Sequence, residues 1–416
     1  MKIKFNSTAK PFFILIISLY ISSAYLWAEI SKTSKDIDPA YRGTISPICF
    51  NTTLDFEWSG NLPLVYLTIN GKKYKFLFDT AAPTMLPKTL IKELRLKPIA
   101  NRDRLKDSSG KEIRVGLYRL PSLKINDLEF KNFTVLSSNF TTIFPLSCLG
   151  FDGVLGYNFL QYAVIKLDLK HQKITLSNKL MDHKGYIPID MKFEPRRGPL
   201  IHLNFAFGNA YFELDTGNNT NILLGTTSIT TEMKKLKYLS RETRGAFVAS
   251  FGGVDQNNKK VDYLVRNFSI DNKIPIKSFP VTVNQSGAFL IGEKFLKKFT
   301  IIIDFPDKKA YFKQIEAGEI DENFSKTFGF TPMWDGKSGL VISAITSNTP
   351  AEKYDLKPGD KIISLNGIKM DKLTKESFCK FMFSSQKDPH SFEKQKSVRL
   401  VIQRGEHKPK EVQLIY

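Results

Sequence analysis

Apolar and polar residues alternate over residues 64–70, the signature of a half-buried strand, and the run stops at Asn70-Gly71, a two-residue hairpin signal. Residues 74–78 then read as the returning strand. The same design recurs later: a strand over 201–206, a turn at Phe207-Gly208-Asn209, and a return over 211–214. Each stretch closes with one phrase, a small helix (158–162; 293–298), a strand (163–168; 300–304), a polar turn and another strand (173–177; 309–313). Residues 87–94 read as a further short helix. Many short strands with turn signals between them predict all-β units of barrel type.

The recurrence keeps a fixed offset. Pro63-Leu64-Val65 returns as Pro199-Leu200-Ile201, and Phe76-Leu77-Phe78-Asp79-Thr80 as Phe212-Glu213-Leu214-Asp215-Thr216. Leu155-Gly156 returns as Ile291-Gly292, and Asp168 as Asp304. The subtractions 199−63, 215−79, 292−156 and 304−168 all give 136, so the chain contains two copies of one structural unit with Asp79 and Asp215 in equivalent places. Two equivalent carboxylates suggest one shared site. The middles of the copies differ: Asn132-Phe133-Thr134-Val135 corresponds to Lys277-Ser278-Phe279-Pro280-Val281 only through an insertion, where loop-borne specificity or neutral drift would lie.

The two ends have their own character. Lys2, Lys4 and Lys10 precede an apolar stretch over 12–27 with Ser22, Ser23, Ala24 and Ala28 near its end, which reads as an export signal over 1–28. The alternative for that stretch is an uncleaved membrane anchor at the short end for a bilayer span. From about residue 327 the text changes to Gly339-Leu340-Val341-Ile342, Thr349-Pro350-Ala351 and Leu356-Lys357-Pro358-Gly359-Asp360, a module of about ninety residues, the size of a small domain. The expected organisation is an extension over 29–59, one copy over 60–182, the second over 183–326, and the module over 327–416.

Charge changes this picture little. The formal charge is +20, from 61 basic and 41 acidic residues, but the lysines are scattered, and nucleic acid is not an expected partner of an exported protein. Export implies a periplasmic, surface or secreted location. Cys49, Cys148 and Cys379 lack metal-type spacing, and the five histidines form no paired ligand motif, so a metal site is not expected. Export permits a disulfide, and Cys49 with Cys148 would tie the extension to the first copy.

Each copy also carries apolar residues before an Asp-Thr pair and a later apolar pair before Gly: Asp79-Thr80-Ala81-Ala82 with Val154-Leu155-Gly156, and Asp215-Thr216-Gly217-Asn218 with Leu290-Ile291-Gly292. In these motifs the chain resembles a single-chain, retropepsin-like or pepsin-like aspartic protease, and its C-terminal module resembles a PDZ domain. The resemblance implies a mainly β molecule, two homologous acid-protease barrel lobes forming a bilobal cleft, with polypeptide substrates. Asp79 and Asp215 would share one proton, because two adjacent carboxylates cannot both ionise cheaply; the charged one activates water and the neutral one donates to the peptide carbonyl. Thr80 and Thr216 would fix the spacing, and the residues after them, Ala81 and Gly217, would aim N–H groups at the carboxylates.

Ala81 departs from the family's glycine. If φ is positive there, alanine costs about 1–2 kcal/mol; if φ is negative, the methyl only crowds the dyad. The alternative function is accordingly a degenerate, non-cutting peptide-binding or scaffold protein of the cell envelope. Ala82 and Asn218 stand where acid-adapted relatives have hydroxyls, so the dyad should titrate higher and activity extend toward neutral pH. Ser109-Gly110 and Gly252-Gly253 are the flap candidates, ordinary surface turns being the alternative. Gly339, Leu340 and Val341 are expected to receive C-terminal peptides, with a groove helix over 374–382.

Overall fold

The computed structural model describes residues 18–19 and 43–415, apart from 108–109, 194–196, 227, 246–247, 256–257, 285–286, 338 and 384–394. All of the expected export segment except Ser18–Leu19 therefore lies outside the described residues. Among the described residues no helix is long and apolar enough to cross a membrane.

The first hairpin joins Leu62–Ile69 to Lys72–Phe78, paired from Leu64 opposite Leu77 to Ile69 opposite Lys72. Asn70 and Gly71 both take positive φ, 50° and 79°, as the tight turn matched to strand twist requires. Its counterpart joins Pro199–Phe205 to Gly208–Leu214 with Phe205 opposite Gly208. The turn is thus Ala206-Phe207, earlier than the glycine suggested, because Gly208 already belongs to the ladder.

Each copy continues into a long hairpin arm. In the first, Pro98–Lys106 pairs with Glu112–Ile125, which returns through Leu128–Ser138. In the second, Ser240–Gly245 pairs with Asn258–Ile270, which returns through Ile274–Asn284. A small extra hairpin, Val248–Ser250 with Gly253–Asp255, is inserted at the tip of the second arm. The cores carry equivalent aromatic contacts: Phe133 stacks on Phe159 at 4.3 Å, and Phe279 meets Phe295 edge-on at 4.9 Å. All four are buried, each contributing about 1.5–3 kcal/mol of transfer free energy.

A six-stranded antiparallel sheet unites the copies, in the order Asn51–Asp55, Lys173–Ser177, Val164–Asp168, Phe299–Asp304, Lys309–Gln314 and Ile187–Phe193. The copies meet where Val164 faces Asp304 and Leu167 faces Ile301. Asn51 and Ile187 again differ by 136 (187−51), so the first repeat begins at Asn51 and not at residue 60. Residues 51–59 are not an extension: they supply one edge of this sheet and, through Glu57–Ser59, a strand beside Leu62–Leu64.

The C-terminal module has strands Phe330–Trp334, Leu340–Thr346, Lys361–Leu365, Ser397–Gln403 and Lys410–Ile415, with helices Pro350–Lys353 and Lys375–Phe383. It is joined to the second copy by strand pairing, Thr243 opposite Thr346 through Gly245 opposite Ala344, and by Ser347 N–H donating to Glu242 O at 2.7 Å. It is joined to the first copy by a disulfide. Cys148 pairs with Cys379, Cα atoms 5.0 Å apart, and the expected Cys49–Cys148 bridge does not form; Cys49 is a free, exposed thiol.

Candidate active site

Both Asp-Thr pairs stand where a buried strand ends. The strand Gly153–Leu155 runs parallel to Phe76–Phe78, and Asp79 N–H donates to Leu155 O at 3.0 Å. In the second copy Leu290–Ile291 runs parallel to Glu213–Leu214, and Asp215 N–H donates to Ile291 O at 3.0 Å. The glycine after each apolar pair permits this approach. A Cβ on Gly156 would lie 2.1 Å from Ala82 O, and one on Gly292 would lie 2.4 Å from Thr220 O. Next to them Tyr157 N–H reaches Ala82 O at 2.9 Å and Glu293 N–H reaches Asn218 O at 2.7 Å, which fixes each loop behind its aspartate.

The threonines cross between the copies. Thr80 Oγ1 donates to Leu214 O at 2.5 Å and accepts from Thr216 N–H at 3.2 Å; Thr216 Oγ1 donates to Phe78 O at 2.7 Å and accepts from Thr80 N–H at 3.1 Å. The two hydroxyls are 3.4 Å apart. Every donor and acceptor in this clasp is buried, so the two strand ends, and the aspartates one residue before the threonines, are held against each other.

Both aspartates are fully buried. Asp79 Oδ1 accepts N–H bonds from Ala81 at 2.9 Å and Ala82 at 2.8 Å, and Asp215 Oδ1 accepts from Gly217 N–H at 2.9 Å. The two carboxyls are within hydrogen-bond reach of each other. Such a bond exists only if one of them carries a proton, since ionised carboxylates only accept. Burial pushes the Asp79 carboxyl up to about 7; the Ala82 and Ala81 N–H groups oppose this, and the nearby charge of Glu213 reinforces it. The arrangement can therefore hold one proton on two carboxyls at near-neutral pH.

Ala81 does not have positive φ, so the backbone cost that would follow from a left-handed conformation does not arise. Its N–H keeps the bond that the family's glycine would make, and room for its methyl comes from the other copy. A Cβ at Gly198 would lie 2.7 Å from Ala81 Cα and from Thr80 O, and 3.3 Å from the Ala81 methyl. Gly198 N–H donates to Glu213 Oε1 at 3.2 Å, and Arg197 pairs with the same oxygen at 3.4 Å. Glu213 is 2 % exposed and was not among the expected site residues. A signal was present: it interrupts an apolar run at the position equivalent to Leu77 (213−136). At Asn218, Oδ1 accepts from Thr220 N–H and Thr220 Oγ1, so this side-chain oxygen serves its own loop.

The expected flap residues are brought together, except Ser109, which lies outside the described residues. Gly110, φ 81°, is at the tip of the first arm, and Gly252 and Gly253 are in the inserted hairpin of the second. The tips touch through Asp107, which opens the turn closed by Gly110 N–H donating to its carbonyl at 2.8 Å. Its Oδ2 accepts from Ser250 Oγ at 2.5 Å and Gly252 N–H at 2.7 Å, and its Oδ1 from Lys111 N–H at 2.9 Å. A side chain at position 252 would collide with this carboxylate at 2.5 Å. Ile113, Val115, Leu117 and Phe251 of the arms join one apolar cluster with Ala82 and Met85 beside Asp79.

Gly339, Leu340 and Val341 do not form a receiving edge. Gly339 closes a tight turn with Asp335, while Leu340 pairs with both Trp334 and Ile362, and Val341 with both Met333 and Lys361. A strand with both edges filled cannot add a peptide. The expected groove helix is present as Lys375–Phe383, facing Trp334, whose indole N–H donates to Leu373 O at 3.1 Å.

Residues 65–159 match the aspartyl protease family, and residues 320–403 match the PDZ domain family. No curated protein matches the chain. The first match covers only the first copy; the clasp and the offset of 136 carry the likeness into the second. The chain is a mainly β protein that carries an aspartyl protease domain and a C-terminal PDZ domain.

Proposed function

We propose that this protein is an exported aspartic endopeptidase in which Asp79 and Asp215 activate a water molecule. The observation that carries the reading is the reciprocal threonine clasp, which holds two buried carboxyls within reach of one shared proton. The ionised carboxylate takes a proton from a water lying between the pair as its oxygen attacks the peptide carbonyl carbon, and the neutral carboxyl donates its proton to the carbonyl oxygen. The tetrahedral diol collapses when the newly protonated aspartate gives its proton to the amide nitrogen, the C–N bond breaks, and a diol hydroxyl passes its proton to the other carboxylate, returning the pair to one shared proton. No bond forms between enzyme and substrate.

The retained Ala81 N–H bond favours a competent site over a degenerate one. The raised titration of Asp79 supports activity reaching mildly acidic to neutral pH. Export is supported by the apolar N-terminal segment and by the Cys148–Cys379 disulfide, since disulfides persist in oxidising compartments. The closed arms imply that a polypeptide enters only after the Asp107 contacts part. Purified protein is incubated with a denatured fluorescein-labelled polypeptide, with and without a pepsin-type inhibitor, beside Asp215→Asn. Cleavage that the inhibitor and the variant both abolish supports the peptidase; binding without cleavage by the unsubstituted protein would leave a peptide-holding envelope protein.

A further inference from the structure

A loop of the first copy packs against the PDZ domain. Residues 139–152 connect the strand Leu128–Ser138 to Gly153–Leu155, the strand behind Asp79. The loop is braced by its own backbone, with Ile143 N–H to Phe140 O at 3.1 Å, Ser147 N–H to Ile143 O at 2.8 Å and Cys148 N–H to Pro145 O at 2.9 Å. From this brace Phe144 projects between the PDZ strand Phe330–Trp334 and the PDZ helix Lys375–Phe383. Its ring is 5.5 Å from Trp334 and 5.3 Å from Phe378. Four residues later Cys148 is bonded to Cys379, on the same helix, next to Phe378. The space between strand and helix is where a PDZ domain takes an extended peptide.

We propose that this groove is an internal docking site filled by the first-copy loop, and that the Cys148–Cys379 disulfide is a redox latch on it: oxidised, the groove is closed; reduced, it receives an extended peptide presenting a phenylalanine-like side chain in place of Phe144. The reductant is a dithiol. It transfers two electrons and two protons, the Sγ–Sγ bond breaks to leave two thiols, and the dithiol closes to its own disulfide. The occupant's chemistry is given by Phe144, an aromatic ring between an indole and a second phenyl ring. The latch bears on the cleft as well. Phe140 of the same loop packs 5.2 Å from Phe251 at the tip of the second arm, and the PDZ domain is paired to that arm through 344–346. An incoming peptide that displaces Phe144 therefore pulls on a support of the closed arms.

A tethered occupant acts at an effective concentration of about 1 mM, so an outside peptide of equal intrinsic affinity has an apparent Kd of about 1 mM or weaker against the latched form. The inference rests on the PDZ reading and is independent of proteolysis. The test uses the full chain as Asp215→Asn, to spare the probe from cleavage, and Cys49→Ser, to prevent disulfide exchange. The probe is a fluorescein-labelled peptide of residues 139–147, with a counterpart carrying Phe144→Ala, read by fluorescence anisotropy. Disulfide mapping before and after dithiothreitol fixes the state of Cys148 and Cys379. The expected result is at least tenfold tighter binding of the probe after reduction, binding at least as tight by Phe144→Ala/Cys148→Ser, and no gain for the counterpart peptide. Equal affinity in oxidised and reduced protein, no binding in either, or absence of the Cys148–Cys379 link would overturn the proposal. Should the double variant fail to fold, the comparison of oxidised and reduced parent protein decides alone.

Discussion

Replacing Asp79 by asparagine should stabilise the protein, and only above mildly acidic pH. The folded Asp79 carboxyl keeps its proton up to about 7, whereas in the unfolded chain it loses it near 3.8. Between those limits the native state binds more protons than the unfolded state. Stability is therefore highest below about pH 4 as far as this group is concerned, and is lost as pH rises through 7. The difference, about 7 minus 3.8 at about 1.36 kcal/mol per pH unit, comes to about 4 kcal/mol. Coupling to Asp215 spreads this over the pair, so a gain of about 2–4 kcal/mol at pH 8 is expected. Glu293, also raised to about 7 by burial against the opposing charge of Lys297, acts in the same direction in both proteins and cancels in the comparison. The assay is urea unfolding of the parent and Asp79→Asn at whole pH values from 4 to 8. The curves should coincide near pH 4, diverge up to about pH 7 and level off by pH 8, with the variant above. A gap that does not change with pH would refute the argument, since it would mean that Asp79 titrates alike in the folded and unfolded chains.

Other outcomes follow from the same geometry. Thr80→Val removes a buried hydroxyl that serves Leu214 O and Thr216 N–H, so urea unfolding should register a loss of about 2–5 kcal/mol, with cleavage lost in parallel. Gly198→Ala forces a methyl to 2.7 Å from Thr80 O and Ala81 Cα; a loss of about 1–3 kcal/mol and a fall in kcat are expected, and Ala81→Gly should not restore them, because the backbone contacts remain. Ala81→Gly alone should change stability by less than about 1 kcal/mol and leave kcat within a few-fold, since the N–H bond to Asp79 persists. Asp107→Ala uncouples the arm tips and should raise KM more than it lowers kcat, measured on one peptide substrate at fixed pH.

Much of this was legible because the repeat obeys local rules. Asn70-Gly71 named its own turn, the glycines at 156 and 292 marked where backbones touch, and the offset of 136 placed Asp79 and Asp215 in register. What escaped depends on contacts between distant segments. Asn51–Asp55 and Ile187–Phe193 keep the offset yet share almost no residue types, because a sheet edge constrains alternation and not identity. The partner of Cys148 is 231 residues away in a separate module, a distance no spacing rule reaches. Gly339-Leu340-Val341 looked like a peptide-receiving strand since glycine before an apolar run marks many such edges; only the ladder reveals both sides filled. Glu213 was readable as a charge within an apolar run and Asp107 as an ordinary turn residue, but their partners, Gly198 and Ser250, come from folding.

The pH dependence of kcat/KM tests the shared proton most directly. The account predicts a bell for cleavage of a single peptide substrate, with its alkaline limb near pH 7, and loss of the whole profile in Asp79→Asn and in Asp215→Asn. Cleavage that survives either substitution, or a profile with only one limb, would contradict a mechanism in which both carboxyls hold one proton between them.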